Sequence, residues 1–229
     1  MAPMKAAIIG ASGGIGKALA DELEGRGAEV LRLSRSSLPP VDFDSEAGIA
    51  AAAEALRDNS PFDLILIATG LLHGSGVEPE KTVRAVRGDA LDRYFRVNAT
   101  GPALVIRHFL PLLRRDRRAV MAALSARVGS IEDNRIGGWI GYRASKAALN
   151  QIIKTVAIEL ARTMPQAILV GLHPGTVDTP LSQPYQRNVP PEKLFTPQRS
   201  AAALLDVLDR LGSGDSGGCF DWKGERIPA

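Results

Sequence analysis

The stretch KAAIIGASGGIGKALADELEGRG, residues 5–27, decides the fold of this chain. Lys5–Ile9 is a short apolar run typical of a buried strand, and Lys17–Arg26 has the pattern of a helix. The turn between them reads Gly-x-x-x-Gly-x-Gly, and glycines permit a tight bend and a close approach of the backbone to a ligand. A strand, such a turn and a helix N-terminus together favour pyrophosphate binding; a flexible turn without a ligand is the alternative. The predicted contacts are Gly10, Ser12, Gly13, Gly14, Ile15 and Gly16.

Apolar runs and helical patterns continue to alternate along the rest of the chain. The further predicted strands are 29–33, 41–43, 64–68, 119–124, 167–172 and 217–222. The further predicted helices are 49–59, about 89–114, 142–163 and 196–211. Strands this apolar, separated by helices, favour a parallel sheet covered on both faces. We therefore expect an α/β protein with a three-layer Rossmann fold, a doubly wound parallel sheet of about seven strands, as a single domain over residues 1–229.

Composition excludes several classes of function. The 28 Lys and Arg nearly balance the 25 Asp and Glu, so we expect no nucleic-acid partner and no membrane partner. We interpret the basic run Arg114, Arg115, Arg117 and Arg118 as a solvated helix end. Cys219 is the only cysteine and the three His are scattered, so we expect neither an intramolecular disulfide nor a metal site. The chain shows no signal peptide and no stretch of membrane-spanning length, which predicts a cytoplasmic location.

The residues after the second predicted strand bear on the choice of cofactor. An acidic residue that would bind a ribose 2′-hydroxyl is missing there, and the chain reads Ser34-Arg35-Ser36. An Arg and two hydroxyls would bind a 2′-phosphate, so this stretch favours NADP(H) over NAD(H); Arg35 as a plain surface charge is the alternative. Asp42 is a candidate acceptor for the adenine amino group or a turn residue, and Phe43 beside it is counted with the cofactor-binding residues.

Tyr142 and Lys146 are four residues apart in GYRASKAALNQ, residues 141–151. At that spacing two side chains lie on one face of a helix. An ammonium beside a phenol favours the phenolate, so we expect Lys146 to lower the pKa of Tyr142 from about 10. The pair is therefore a candidate proton donor or acceptor for a carbonyl/alcohol interconversion, whereas an isolated pair of this kind is usually a solvated surface pair.

Taken together, these motifs resemble the short-chain dehydrogenase/reductase family over nearly the whole chain. The matching pieces are Gly10-x-x-x-Gly14-x-Gly16, Asn98 in VNATGP, Ser125 after the fifth predicted strand, Tyr142-x-x-x-Lys146, and Pro174-Gly175-x-Val177-x-Thr179. The text SARVGSIEDNRIGGWIGYRASKAALN, residues 125–150, looks most like the branch of the C-factor signalling protein and the sniffer-type carbonyl reductases.

The resemblance implies roles for these residues. Tyr142 would be the general acid in reduction, and Lys146 would lower its pKa and bind the nicotinamide ribose. Ser125 would hydrogen-bond the substrate carbonyl, and Asn98 would hold a water in a proton relay. Residues 174–179, with Pro174, Gly175, Val177 and Thr179, would lie along the nicotinamide.

Two stretches depart from the family pattern. Ala68-Thr69-Gly70 stands where the family commonly shows Asn-Asn-Ala-Gly, and the glycine that is kept indicates that the turn still binds cofactor through its backbone. Ser125-Ala126 stands where the family has a Ser pair with the second Ser active, so the hydroxyl falls one position away. Ser130 is the alternative catalytic Ser.

The expected function is reduction of a small ketone or aldehyde with NADPH. Reduction of a 3-oxoacyl group on a carrier protein is an alternative, in which the arginine run would dock the acidic carrier. A cofactor-binding signalling protein with little turnover is another. Residues 178–195, rich in proline, are predicted to form a substrate-binding lid, with Trp139 and Tyr185 as candidates for shaping an apolar pocket. The resemblance further implies a homodimer or homotetramer.

Overall fold

The computed structural model describes residues 3–74 and 76–229. Its centre is a sheet of six parallel strands in the order β2-β1-β3-β4-β5-β8, and a separate two-stranded parallel pair is formed by β6 and β7. The strands are β1 (Lys5–Ile9), β2 (Glu29–Leu33), β3 (Leu64–Ile67), β4 (Ala119–Leu124), β5 (Ala167–His173), β6 (Thr176–Val177), β7 (Leu194–Phe195) and β8 (Cys219–Asp221).

Helices cover both faces of the sheet and make it the middle of three layers. They are α1 (Gly14–Gly25), α2 (Glu46–Ala55), α3 (Gly88–Phe95), α4 (Gly101–Phe109), α5 (Ile140–Thr163) and α6 (Pro197–Arg210). Successive strand residues point to opposite faces, so Ile8 packs with α1 and α6 while Ile9 packs with α2, α4 and α5. The central strands β3 and β4 therefore bury both of their faces, as their apolar sequences predict, whereas β2 at the sheet edge is mostly half-buried.

The Rossmann architecture is confirmed, but the main sheet has six strands rather than about seven. The predicted third strand, residues 41–43, is not a strand. Val41 and Phe43 are buried and Asp42 is exposed, so the alternation typical of a strand is present. The segment forms no strand pair. Its hydrogen bond toward the β2 side of the sheet runs from the Val41 N–H to the carbonyl of Ser34, the residue after β2. Alternating burial alone, without a strand edge within reach, does not produce a ladder.

The helix predicted over residues 89–114 is divided into pieces. A π-helical turn, Arg96–Thr100, separates α3 from α4, and a 3₁₀ turn, Leu110–Leu112, follows α4. Asn98 lies in the π-helical turn and is fully buried. Widened turns of this kind are rare and occur frequently at functional sites, because they displace one side chain from the helical pattern.

The order of the strands reverses between β1 and β3, and this position places the functional residues. Parallel sheets of this type bind ligands in the crevice beyond the carboxyl ends of the strands at such a reversal. The turn after β1 and the turn after β3 meet there, since a Cβ built on Gly10 would lie 2.8 Å from the Ala68 carbonyl oxygen.

The arginine run lies at the opposite, amino-terminal edge of the sheet. Arg114 and Arg117 bind Asp63 just before β3, at 2.6 and 2.7 Å. Arg118 donates to the carbonyls of Leu208 and Leu211 at the end of α6. Arg115, Arg117 and Arg118 are exposed, as a solvated stretch would be, whereas Arg114 is only partly exposed. The bonds of Arg114, Arg117 and Arg118 nevertheless tie the chain to itself.

None of the helices in the described residues is long and apolar enough to span a bilayer.

Candidate active site

A cleft of about 260 Å³ opens at the crevice where the strand order reverses. Its lining combines the glycine-rich turn, the residues after β2 and the turn after β3. From the predicted cofactor-binding residues it includes Gly10, Ser12, Gly13, Ser34, Arg35, Asp42, Phe43, Thr69 and Gly70. Residues that are far apart in the sequence thus share one wall.

The glycine-rich turn is packed so closely at Gly10, Gly14 and Gly16 that a side chain is excluded from these three positions. Gly10 has a φ of 91°, which favours glycine, and its N–H bonds the Leu33 carbonyl at 2.8 Å. A Cβ on Gly16 would lie 2.2 Å from the Gly10 carbonyl oxygen. A Cβ on Gly14 would lie 2.7 Å from the Thr179 methyl, so the turn also contacts the segment after β5. Ile15 lies on the far side of this contact and lines a second cavity.

The residues after β2 place one cation and two hydroxyls at the rim of the cleft. Arg35 is exposed there, and the Ser34 and Ser36 hydroxyl oxygens are 3.2 Å apart. Ser36 itself is outside the cleft lining and donates its N–H to Ser34. The carboxylate of Asp42 accepts from the Asp44 N–H at 3.1 Å, which fits the turn interpretation of Asp42.

The neighbouring predicted contacts differ in how much they offer a ligand. Phe43 packs its ring over Gly101 and belongs to the core beneath α4, so it supports the cleft mainly from below. Ala68 donates its N–H to Ile9 and packs against the core on the other face of the sheet, outside the cleft lining. Thr69 carries a buried hydroxyl that finds no partner within the described residues, so it is free to bind a ligand in the cleft.

The helix α5 carries Tyr142, Lys146 and Asn150 one turn apart on one face. Tyr142 and Lys146 are both buried. The Lys146 ammonium donates to the Leu124 carbonyl at 2.8 Å and lies 6.0 Å from the centre of the Tyr142 ring. A Cβ on Gly70 would be 3.7 Å from the same Nζ, so Lys146 reaches the turn after β3.

The protonation of this pair runs against the prediction from the sequence. Burial raises the pKa of Tyr142 to about 12, whereas we expected Lys146 to lower it. Burial also lowers the pKa of Lys146 to about 8. In this state Lys146 is bonded to a backbone carbonyl, so loss of water around the phenol outweighs any attraction by the ammonium.

Asn98 binds the turn after β3 with both ends of its amide. Its Oδ1 accepts from the Leu71 N–H at 2.8 Å, and its Nδ2 donates to the Leu71 carbonyl at 2.9 Å and to the Ser145 hydroxyl at 3.1 Å. The π-helical turn, the turn after β3 and α5 are thereby fixed to one another.

The structure separates the two candidate serines. Ser125 lines the same cavity as Tyr142, and its hydroxyl donates to Asn150 Oδ1 at 2.6 Å. The Ser130 hydroxyl binds the Ala229 carbonyl at 3.2 Å and the Asp133 N–H at 3.0 Å, outside that cavity. Ala126 contributes only a methyl group to the cavity wall. Geometry therefore favours Ser125 over Ser130.

A second cavity, of about 340 Å³, adjoins Tyr142 and the segment after β5. We call it the substrate cavity. The residues Pro174, Gly175, Val177 and Thr179 line it, as do Ile15, Leu72, Val128, Trp139, Leu181, Tyr185 and Val189. Its one titratable imidazole, His173, has a pKa lowered to about 4 by burial and is neutral at pH 7. Of the described side chains that line this cavity, none carries a formal charge at that pH.

Aromatic rings form one wall of the substrate cavity. Trp139 lies edge-on to Tyr185 at 5.0 Å and to Tyr142 at 6.2 Å, measured between ring centres. Tyr185 belongs to residues 178–195, which contain two 3₁₀ turns, Gln183–Tyr185 and Pro191–Lys193. This segment is held by His73, which bonds the Pro180 carbonyl at 3.0 Å, and by a Tyr185 bond to Glu78 at 3.3 Å.

Two residues at the site were not found from the sequence. Asn150 continues the helical spacing of Tyr142 and Lys146, and that period could have indicated it. Glu80 is buried behind Trp139 at the start of α5, and an acidic residue in a loop gave no signal of this. Among residues 3–74 and 76–229, no group of three or more His, Cys, Asp or Glu is placed to hold a metal ion.

Comparisons with known proteins agree with this geometry. The family model for short chain dehydrogenases matches residues 4–190. A 1-hydroxy-2-glutathionyl-2-methyl-3-butene dehydrogenase of Rhodococcus sp. strain AD45 is 29% identical over 221 residues, 92% of each chain. C-signal of Myxococcus xanthus is 35% identical over 137 residues, covering 59% of this chain and 76% of that protein.

Solved structures share the whole fold. A short-chain dehydrogenase/reductase of Burkholderia multivorans, solved with bound NADP, superposes with a TM-score of 0.84 at 26% identity and full coverage of both chains. The carbonyl reductase Sniffer of D. melanogaster superposes with a TM-score of 0.81 at 21% identity, again over both full chains. The glycine-rich turn, the buried Tyr142 and Lys146 and these matches lead to one conclusion: the chain belongs to the short-chain dehydrogenase family of oxidoreductases.

Proposed function

We propose that this chain reduces an uncharged ketone or aldehyde to an alcohol, with NADPH as the reductant. The observation that carries the proposal is the place of Tyr142, a buried phenol on the wall of a substrate cavity without charged side chains among its described lining, next to the glycine-lined cleft. A cavity of that character disfavours carboxylates and phosphates, because a buried charge without a partner is costly.

The cleft fits a dinucleotide in three respects. The glycine-rich turn has no room for a side chain at Gly10, Gly14 or Gly16, the buried Thr69 hydroxyl has no partner among the described residues, and Arg35 lies at the rim with Ser34. Of the residues named from the sequence, these would hold the pyrophosphate, the nicotinamide side and the 2′-phosphate respectively. The NADP bound to the Burkholderia relative supports the same choice of cofactor. When bound, NADPH supplies the hydride of the reaction.

The residues of α5 supply the proton. With a pKa of about 12, the Tyr142 phenol is protonated at pH 7 and is a proton donor to the carbonyl oxygen. Lys146, with a pKa of about 8, is mostly an ammonium at pH 7 and stabilises the negative charge that forms on the phenol. Ser125 is the proposed donor to the carbonyl oxygen, which requires its hydroxyl to turn from Asn150. Asn98 fixes the turn after β3 against α5, and the family resemblance makes it the residue that would hold a relay water.

The two alternative functions fare differently. The carrier-protein alternative depended on a free arginine run, and Arg114, Arg117 and Arg118 are engaged within the chain on the edge opposite the site. A signalling role keeps support from the similarity to C-signal, and turnover distinguishes it.

We further propose a homodimer or homotetramer packed through α4 and α5. Ala144, Ala147 and Ala148 are partly exposed on α5, so they are available for close helix contact. Ala157 is buried in the core and faces the sheet, so it takes no part. Light scattering checks the proposal, and the 24.3 kDa monomer mass at micromolar concentration would contradict it.

The test of the proposed function is NADPH oxidation with a panel of carbonyl compounds of matched size, half neutral and half carrying a carboxylate. We expect turnover with neutral members only. Tyr142→Phe keeps the ring and removes the proton, so turnover should fall by about two to four orders of magnitude while NADPH still binds. Turnover of Tyr142→Phe close to the wild-type value would refute the mechanism.

A further inference from the structure

Glu80 accepts hydrogen bonds from two backbone amides at the start of α5, that of the cap residue Trp139 and that of Gly141. It lies in the loop after β3 and is only 3% exposed. Its carbonyl accepts from the Trp139 N–H at 2.5 Å, and its carboxylate Oε2 accepts from the Gly141 N–H at 3.1 Å. One residue, distant in sequence, thus replaces the cap of the helix that carries Tyr142 and Lys146.

The helix needs this external partner because its own N-terminus supplies none. Trp139, at the cap position, has a left-handed backbone with φ 53° and ψ 44°, and its side chain makes no capping bond. The first amides of a helix point outward without intrahelical partners and attract a negative charge. The carboxylate of Glu80 accepts a bond from one of these amides, that of Gly141, and places a negative charge at the helix N-terminus.

Packing at this contact leaves room only for a glycine at position 141. A Cβ on Gly141 would lie 2.9 Å from Glu80 Oε1 and 2.5 Å from the ring of Tyr94. That same Oε1 is buried and finds no hydrogen-bond partner in the described part of the chain. A buried carboxylate oxygen without a partner costs stability, and native structures keep such groups where they serve a function.

The consequences of this contact reach the substrate cavity on two sides. Trp139 forms part of the cavity wall and touches the rings of Tyr142 and Tyr185. Tyr142 directly follows Gly141, so a shift of this turn moves the phenol itself. Displacement of a reacting group by about 1 Å can lower a rate about 100-fold.

We infer that Glu80 is a positioning residue, whose carboxylate fixes the start of α5, and with it the Trp139 wall and the Tyr142 phenol, through the Gly141 amide. The expected effect on kcat rests on the proposed function, whereas the expected effect on hydrogen exchange of the Gly141 amide does not.

The experiment compares Glu80→Ala and Glu80→Gln with wild type, with Glu54→Ala on the exposed side of α2 as the matched loss of a carboxylate. Glu80→Ala should lower kcat roughly 10–100-fold and leave the NADPH Kd within about twofold. Glu80→Gln keeps an acceptor for Gly141 and should recover kcat to within a few-fold of wild type, as should Glu54→Ala. Unfolding alone would not lower kcat while leaving the NADPH Kd unchanged, and it would not explain recovery of kcat in Glu80→Gln.

Residue-resolved hydrogen exchange provides a readout that does not need turnover. Protection of the Gly141 amide should fall about tenfold or more in Glu80→Ala and persist in Glu80→Gln, whereas the Trp139 amide bonds the backbone carbonyl of residue 80 in every variant and should keep its protection. If Glu80→Ala does not fold, Glu80→Asp replaces it, because the shorter side chain keeps the charge and withdraws from Gly141. Unchanged protection of the Gly141 amide in Glu80→Ala or Glu80→Asp overturns the inference, as does an unchanged kcat. A wild-type protein without turnover refutes only the proposed function, and exchange then decides the role of Glu80.

Discussion

The cofactor cleft and the substrate cavity lie side by side but are built in different ways. The cleft depends on backbone that comes close to backbone, within the turn from Gly10 to Gly16 and between Gly10 and the turn after β3. The cavity depends on side chains that come from the turn after β4, the loop before α5, α5 and the segment after β5. A single added methyl group should therefore abolish tight NADPH binding in the cleft. Substrate selectivity in the cavity should instead change gradually with the size and polarity of individual side chains.

The largest effect is expected from Gly16→Ala. Its Cβ would lie 2.2 Å from the Gly10 carbonyl oxygen, so the turn must open and the start of α1 must move. We expect NADPH affinity to fall by at least about 100-fold, with a loss of about 1–3 kcal/mol in the free energy of unfolding. Calorimetric titration and urea unfolding measure the two effects.

Gly25→Ala is the matched control for that substitution. It adds the same methyl group to the same helix at a place with nothing within 4 Å. Its NADPH affinity should equal that of wild type. Equal losses in the two variants would show that the cleft does not depend on the close approach of its backbone.

A smaller effect is expected from Arg35, the charged side chain at the rim of the cleft. Arg35→Asp replaces the cation at the rim by a charge that repels a 2′-phosphate. NADPH affinity should fall roughly 10–150-fold while NADH affinity changes little, because a charge-assisted contact contributes about 1.5–3 kcal/mol. Arg35→Ala removes the cation without adding a repelling charge, so it should lower NADPH affinity less than Arg35→Asp does. Equal changes for NADPH and NADH in fluorescence titrations would leave Arg35 as a plain surface charge.

The same division explains how far the sequence alone reaches. Glycine spacing and helical period are local, so the sequence predicts the cleft and the face of α5 that carries Tyr142 and Lys146. The orientation of Ser125 toward Asn150 depends on how β4 packs against α5, which no local pattern records. Glu80 gives no signal for the same reason, since its partners Trp139 and Gly141 are about sixty residues away.

The errors in the fold and in the electrostatics share this cause. Val41 and Phe43 alternate as a strand would, but a strand also needs an edge to pair with. The helix over residues 89–114 follows a helical pattern that does not reveal a π-helical turn at Asn98. The sequence predicts a lowered pKa for Tyr142 because it shows the neighbouring Lys146, whereas it does not show how deeply the phenol is buried.

The smallest effect is expected from Tyr185, in the segment 178–195 that the sequence predicts to be a lid. Tyr185 touches Trp139 and His73 through its ring and Glu78 through its hydroxyl. Tyr185→Ala removes an aromatic contact of about 0.5–1.5 kcal/mol, so the ratio of kcat/KM between aromatic and small aliphatic carbonyls should change roughly 2–12-fold. NADPH affinity should stay at the wild-type value, because Tyr185 lies outside the cleft lining.

Tyr185→Phe separates the ring from the hydroxyl in that effect. It keeps the contact with Trp139 and loses only the bond to Glu78, which is partly open to solvent, so selectivity should remain near wild type. Residues 178–195 should also gain protection in hydrogen exchange when NADPH and substrate are added, since closure over the reacting carbon excludes water. High protection before addition that does not change afterwards would show a fixed wall rather than a lid. The cavity would then select its substrates by shape alone, with Trp139 and Tyr185 as rigid sides.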